Sequence, residues 1–292
     1  MIMSGGTGIW ALVLHGGAKA IPPERAEAKR EGCRAALRVG ASILRGGGTA
    51  LDAVEATIRI LEDDAISNAG RGSARRPGGE TEMDAAMMDG ATLDLGGVAA
   101  LRGVRHPVSV ARLMLREAPT LLVAEGARHF AEMHGAELDE SADLPMLGDA
   151  GHDTVGCVAL DGHGHLAAGT STGGLEGSMA GRVGDSALPG CGLYADDLMG
   201  AVAFSGDGEN IARTLLAARV MQALEEGSPQ AAAELAMARL RRVGGEAGGI
   251  VLDRAGHVGW AHNSPHFAVG IATSEDGILR TYLWKGEELD LD

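Results

Sequence analysis

Residues 152–157 read His-Asp-Thr-Val-Gly-Cys, near the middle of a chain of 292 residues. A second threonine, Thr172, follows Thr154 inside Thr170-Ser171-Thr172-Gly173-Gly174, and Gly181-Arg182-Val183-Gly184-Asp185-Ser186 comes next. A threonine hydroxyl is a poor nucleophile until a base sits beside it. One such base is the residue's own α-amine, available once the threonine is a chain terminus. An internal threonine reaches that state only by chain cleavage. The expected chemistry is therefore scission of the Asp153–Thr154 bond, followed by attack of the Thr154 hydroxyl on an amide carbonyl. A free α-amine titrates near ~7.7–8.0, so it can take the hydroxyl proton and return one to a leaving amine. These steps require no metal and no catalytic cofactor.

Such a nucleophile needs strands to hold it. Residues 154–160 and 166–172 read as a hairpin around Asp161-Gly162-His163-Gly164. Upstream, the apolar run 9–14 reads as a buried strand ending in a turn at His15-Gly16-Gly17-Ala18. A helix is predicted over 24–45, stopped by Gly46-Gly47-Gly48, and another begins at Thr49, where Asp52 suggests a capping box. After the Gly-rich stretch Asn68-Ala69-Gly70-Arg71-Gly72-Ser73, residues 82–89 and 92–101 read as strands turned at Asp89-Gly90. Helices are expected over 108–117, with Pro107 in the first turn, and over 121–134. The polar stretch 137–153, punctuated by Pro145 and Gly148, reads as a flexible linker able to expose a scissile bond. Beyond the hairpin, strands are expected at 201–205, 250–253, 257–260, 267–273 and 279–284, with helices over 209–226 and 230–243. Two antiparallel sheets packed face to face with helices outside satisfy this order.

Composition narrows the function. The chain is 45% hydrophobic but only 3% aromatic, with 46 glycines, which favours layers of small side chains packed closely. A net charge of −15 argues against a nucleic-acid partner, since phosphate binding needs a basic face. No stretch approaches the ~20 apolar residues of a membrane span, and no secretory signal is read at the amino terminus. Cys33, Cys157 and Cys191 form neither a disulfide framework nor a metal spacing. A reducing compartment fits, so a cytoplasmic location is expected.

The segment 152–186 resembles the start of the β subunit in the plant-type (threonine-type) asparaginase and isoaspartyl peptidase family. His15-Gly16-Gly17-Ala18, Asn68-Ala69-Gly70-Arg71-Gly72-Ser73, Glu82-Met83-Asp84-Ala85 and Met88-Asp89-Gly90 recur there in the same order, so the resemblance covers nearly the whole chain. It implies an α+β fold, a four-layer αββα sandwich of the N-terminal-nucleophile hydrolase type, as one domain over 1–292. It further implies autoproteolysis into an α subunit, 1–153, and a β subunit, 154–292, assembled as a homo-oligomer, a dimer of αβ heterodimers. Small-molecule substrates, L-asparagine and β-aspartyl dipeptides, are implied as well.

The resemblance also assigns roles. Thr154 would be the nucleophile and Thr172 the threonine lying against it. Arg182 would bind the substrate α-carboxylate, for which a planar guanidinium is suited, and Asp185 the α-ammonium. Ser205, where the family generally has threonine, and the Gly206 amide would form the oxyanion hole. Asp207 departs from a frequent family threonine and puts specificity in question. Asn68 matches an asparagine near the substrate, and also reads as a turn residue before Gly70. A structural sodium ion is implied on the backbone carbonyls of Leu61, Glu62, Asp64, Ser67, Ala69 and Arg71. Thr170 receives no role, and Cys157 reads as a small core residue. Ser264 between His262 and His266 lacks the elbow of a serine hydrolase; the segment around it would instead touch the pocket rim. Alternatives are a glycosylasparaginase-like hydrolase, a protein-cutting relative, which would carry long insertions absent here, and an uncut binding protein without activity.

Overall fold

The computed structural model describes residues 8–139 and 154–288. The chain opens with β1 (Ala11–Gly17), α1 (Pro23–Arg45) and α2 (Ala50–Asp63), then β2 (Met83–Asp89) and β3 (Leu95–Leu101). It continues through α3 (Pro107–Met114), β4 (Leu121–Val123) and α4 (Ala124–Met133). After Thr154 come β5 (Val155–Leu160), β6 (Leu166–Thr172), β7 (Leu193–Asp196) and β8 (Gly200–Gly206). Helices α5 (Gly208–Thr214), α6 (Leu216–Leu224) and α7 (Pro229–Leu240) follow, then β9 (Ala247–Asp253), β10 (Val258–His262), β11 (Ala268–Thr273) and β12 (Arg280–Tyr282).

Among the described residues the strands form two sheets, ordered β12-β11-β1-β5-β6-β2-β3-β4 and β10-β9-β8-β7. Neighbouring strands run antiparallel except β3 and β4. The pleat sorts the side chains. In β5, Val155, Cys157 and Ala159 join Leu12 and Leu14 of β1 in a cluster with α1, α2 and α3. The alternate residues Val158 and Leu160, with Ala11 and Val13, pack instead against Ala201, Ala203, Ile250, Leu252 and Trp260 of the second sheet. The other face of that sheet, with Val202, Phe204 and Val251, buries the apolar sides of α5, α6 and α7. Strands buried on both faces read as continuous apolar runs, as β1 and β5 do.

Several local expectations need correction. His15-Gly16-Gly17 is not a turn: β1 continues through it, with a bulge between His15 and Gly17 where the Gly17 φ of 113° admits the extra residue. Residues 121–123, expected to be helical, pair with β3, and Ala124 at φ 49° redirects the chain into α4. The helix expected over 209–226 breaks at Leu215, which is left-handed at φ 51°. Strand β7 was not anticipated. The cap at Thr49 is formed: its Oγ1 accepts the Asp52 N–H at 3.1 Å. Of the linker, residues 137–139 are described. Arg105 N–H donates to the Glu137 carbonyl at 2.8 Å, and Asp139 N–H to the Gly103 carbonyl at 3.1 Å. Its remainder, including Asp153, lies outside the described residues.

Candidate active site

Period-two alternation aims the sequence-selected residues at one place. Val13 of β1, Ala86 of β2, Val158 of β5, Ala168 of β6 and Ala203 of β8 all face the layer between the sheets. His15, Asp84, Thr154, Thr170, Thr172 and Ser205 lie an even number of positions from these residues, so they share those faces. Antiparallel pairing brings them to one end of the layer: Asp84 sits opposite Thr172, and His15 opposite Gly156. At that end a narrow cleft is lined by Thr154, Thr172, Gly174, Leu175, Arg182, Gly184, Asp185, Ser186, Gly206 and Gly208. Thr154, Thr172, Arg182, Asp185 and Gly206 are thus brought together, while Ser205 and Asn68 stand behind the lining.

Thr154 is buried, and its Oγ1 lies 3.3 Å from the Oγ of Ser186. The Thr172 hydroxyl is on the wall but accepts the Gly174 N–H at 3.1 Å. Thr170 donates its hydroxyl proton to the Ser186 carbonyl at 2.6 Å. Neither Ser186 nor Thr170 was assigned a role from the sequence; only the strand face Thr170 shares with Thr172, and the quoted motif that ends in Ser186, hinted at one.

Arg182 rides on a braced loop. The buried pair Arg76–Glu82, 2.8 Å apart, supports it. Arg76 donates to the Ser178 hydroxyl at 2.9 Å and to the Arg182 carbonyl at 3.2 Å, while Glu82 accepts the Gly181 N–H at 2.7 Å. The guanidinium pairs with Glu209 in the first turn of α5. Asp185 is buried between Gly208 and Gly192: a Cβ added at either would lie 2.8–2.9 Å from a carboxylate oxygen. Among the described residues its Oδ2 has no hydrogen-bond partner. Burial pushes the Asp185 carboxyl up to about 7, against the opposing pull of Arg182. Burial likewise lifts Asp84, which accepts the Ala100 N–H at 2.8 Å, to about 6.

Ser205, fully buried, accepts the Ala18 N–H at 3.2 Å, which leaves its hydroxyl proton free to donate. Asp207 turns away from the cleft: its Oδ2 accepts the Glu246 N–H at 3.0 Å and anchors the approach to β9. Asn68 donates to the Gly174 carbonyl at 2.7 Å and accepts the Ala74 N–H at 2.8 Å, pinning the loop that leaves β6. His15 is buried against Phe267 and beside the Thr154 backbone; desolvation lowers it to about 3, against the opposing pull of a hydrogen bond to that backbone, so the ring is neutral.

The Glu62 side chain also ties the frame together. Its buried carboxyl accepts the Ser171 hydroxyl at 2.6 Å and the Val108 N–H at 3.0 Å, joining the end of α2 to β6. The six carbonyls implied for sodium lie along the exit from α2. Those of Asp64, Ser67 and Ala69 each accept one backbone N–H and retain a second lone pair. Leu61 and Glu62 sit in the last helical turn, where the dipole is negative. A Cβ at Gly70 would meet the Glu62 carbonyl oxygen at 2.6 Å, so glycine keeps these oxygens clear. This oxygen set fits a hard monovalent cation. At Ser264 the hydroxyl donates to the His266 carbonyl at 2.7 Å, and His262 Nε2 accepts the Lys285 N–H at 3.2 Å. Ser264 Oγ lies 3.4 Å from His262 Nδ1, but with Nε2 accepting, that nitrogen carries the ring proton and meets the Ser264 carbonyl at 2.9 Å, so it offers the hydroxyl no base. Residues 262–265 do not line the cleft.

A family model described as Asparaginase matches residues 8–145 and 136–281. The chain is 39% identical over 300 residues to the isoaspartyl peptidase/L-asparaginase of Danio rerio, covering 94% of this chain and 96% of that protein. It is 38% identical over 291 residues to the Homo sapiens protein of the same name, covering 92% and 94%. It is 36% identical over 326 residues to the probable isoaspartyl peptidase/L-asparaginase 2 of Arabidopsis thaliana, covering 95% and 100%.

Proposed function

Because the chain belongs to the asparaginase family, we propose that it is an isoaspartyl peptidase and L-asparaginase that matures by scission before Thr154. One observation carries the reading: Thr154, Arg182, Asp185 and Gly206 line a single cleft, although they come from a strand start, a loop and a strand end. An amino acid with free α groups needs a cation, an anion and a nucleophile at fixed spacing, and these are the groups present. The α-carboxylate goes to Arg182 and the α-ammonium to Asp185, which leaves the β-carbonyl toward Thr154.

The freed Thr154 amine takes the hydroxyl proton as Oγ1 attacks the β-carbonyl. The Ser205 hydroxyl and Gly206 N–H steady the developing oxyanion; such a donor is worth about 3–4 kcal/mol. The ammonium proton passes to the leaving amine, a β-aspartyl ester remains, and water activated by the same amine releases aspartate. Thr172, held by Gly174, keeps its proton available beside the nucleophile.

Finer features belong to the same proposal. The three separate apolar clusters support a four-layer αββα arrangement. The small side chains and acidic charge suit a cytoplasmic enzyme working as a dimer of αβ heterodimers. Sodium on the carbonyls of Leu61, Glu62, Asp64, Ser67, Ala69 and Arg71 would stiffen the turn that carries Asn68, supplying structure and no chemistry.

Intact-mass analysis of the purified protein, followed by assays on L-asparagine and β-Asp-Leu, tests the function. Two fragments, 1–153 and 154–292, and hydrolysis of at least one substrate are expected, both lost in Thr154→Ala. A wild-type chain that hydrolyses these substrates while remaining whole would overturn the mechanism.

A further inference from the structure

We propose that Ser186 orients the Thr154 hydroxyl, and that Thr170 is the positioning residue that holds Ser186. This rests on the reading of Thr154 as the nucleophile and deepens it. The two hydroxyl oxygens are 3.3 Å apart and both residues are buried. A threonine hydroxyl otherwise has a choice of staggered rotamers. A fixed neighbour removes that choice, and near-attack geometry is where much of a barrier is lowered.

Ser186 is itself fixed. Its carbonyl takes the Thr170 hydroxyl at 2.6 Å. Thr170 lies opposite Gly156 in the β5–β6 ladder, two residues from Thr154 on the same face. The nucleophile and the residue holding its partner are therefore set by adjacent strands rather than by the loop. Gly156 contributes no side chain between them. The Thr172 hydroxyl, engaged by Gly174 N–H, does not make this bond.

The direction of the bond follows from the chemistry. Ser186 Oγ donates to Thr154 Oγ1, which leaves the threonine proton for the α-amine, and the same bond strengthens as negative charge develops on Oγ1. The same atom attacks in scission and in hydrolysis, so one contact serves both steps. Asp185 and Ser186 are consecutive: one addresses the substrate ammonium and the other the attacking oxygen. Movement of this loop shifts both together.

The test compares wild type, Ser186→Ala, Thr170→Val and Thr170→Ser for scission rate by intact mass, steady-state kinetics on L-asparagine and thermal melting. Ser186→Ala is expected to slow scission at least tenfold and, in the cleaved enzyme, to lower kcat at least tenfold with KM within threefold. Thr170→Val is expected to lower kcat at least threefold, and Thr170→Ser to restore it to within twofold. If Ser186→Ala melts without cooperativity, the Thr170 pair decides. Scission and kcat within twofold of wild type in folded Ser186→Ala, or equal kcat in Thr170→Val and Thr170→Ser, overturn the proposal. Absence of scission and hydrolysis in the wild type would instead overturn the underlying function.

Discussion

Arg182 and Glu209 form a bidentate ion pair, with Nε and Nη2 at 2.8 and 2.7 Å from the two carboxylate oxygens. One edge of the guanidinium is thereby taken by the protein, and Nη1 remains on the side of Gly184. Glu209 fixes the plane of the fork, which decides whether a substrate carboxylate can meet the remaining donors.

Arg182→Ala should therefore raise KM for L-asparagine tenfold or more, with a smaller fall in kcat. Glu209→Gln, which keeps the shape and weakens the pairing, should raise KM about threefold. Steady-state kinetics on the two variants checks this, since loss of uniform binding appears in KM. Equal KM in wild type and Arg182→Ala would remove Arg182 from substrate binding.

Asp185 and Asp84 make stability depend on pH. Burial is the larger cause of both shifts, to about 7 and about 6, above the ~3.9 of an unfolded aspartate. The folded state thus binds these protons more tightly than the unfolded state. Their contribution is complete below about pH 4 and is lost as the pH rises through the two folded values. The Tm of the ligand-free protein should fall between about pH 5 and about pH 8, and Asp185→Asn should flatten part of that fall. Binding runs the other way, because the substrate ammonium needs an ionised Asp185: KM should rise as the pH drops below about 7. Melting curves and KM measured over this range test both signs.

Gly156→Ala should damage the site without touching a reacting group. A Cβ there would lie within 3.0 Å of two His15 ring carbons and closer still to Nε2, in a packed layer with no room to yield. A cost of about 1–3 kcal/mol is expected from overpacking, with slower scission, because β5 carries Thr154. Adding His15→Ala should recover stability beyond the sum of the single changes. Additive melting shifts would mean the two residues do not press on each other.

The strands carrying the site were legible because each is apolar on both faces and bounded by glycine turns, as in 154–160 and 166–172. The chemistry was legible at Thr154, Arg182 and Asp185, whose types have few alternatives in that order. Ser186 was hidden because its partner is thirty-two positions away, and nothing local marks a serine whose neighbour comes from another strand. The turn read at His15-Gly16-Gly17 failed because glycine serves bulges and turns alike; pairing with β11 decides between them. Leu215 was invisible, since a leucine at φ 51° goes against its own preference and is held by packing of α5 and α6. The outward turn of Asp207 also depends on β9, which sequence spacing does not place.

Strand β1 lies between β5 and β11, and β2 hydrogen-bonds to β6. The pieces on either side of Thr154 are therefore interwoven, each supplying rungs the other needs. Severing the backbone there would liberate a terminus without liberating a fragment. Once such a molecule unfolds, regaining its shape becomes a meeting of two separate polypeptides, dependent on their concentration. Durability of the mature form would then be governed by how slowly it first comes apart.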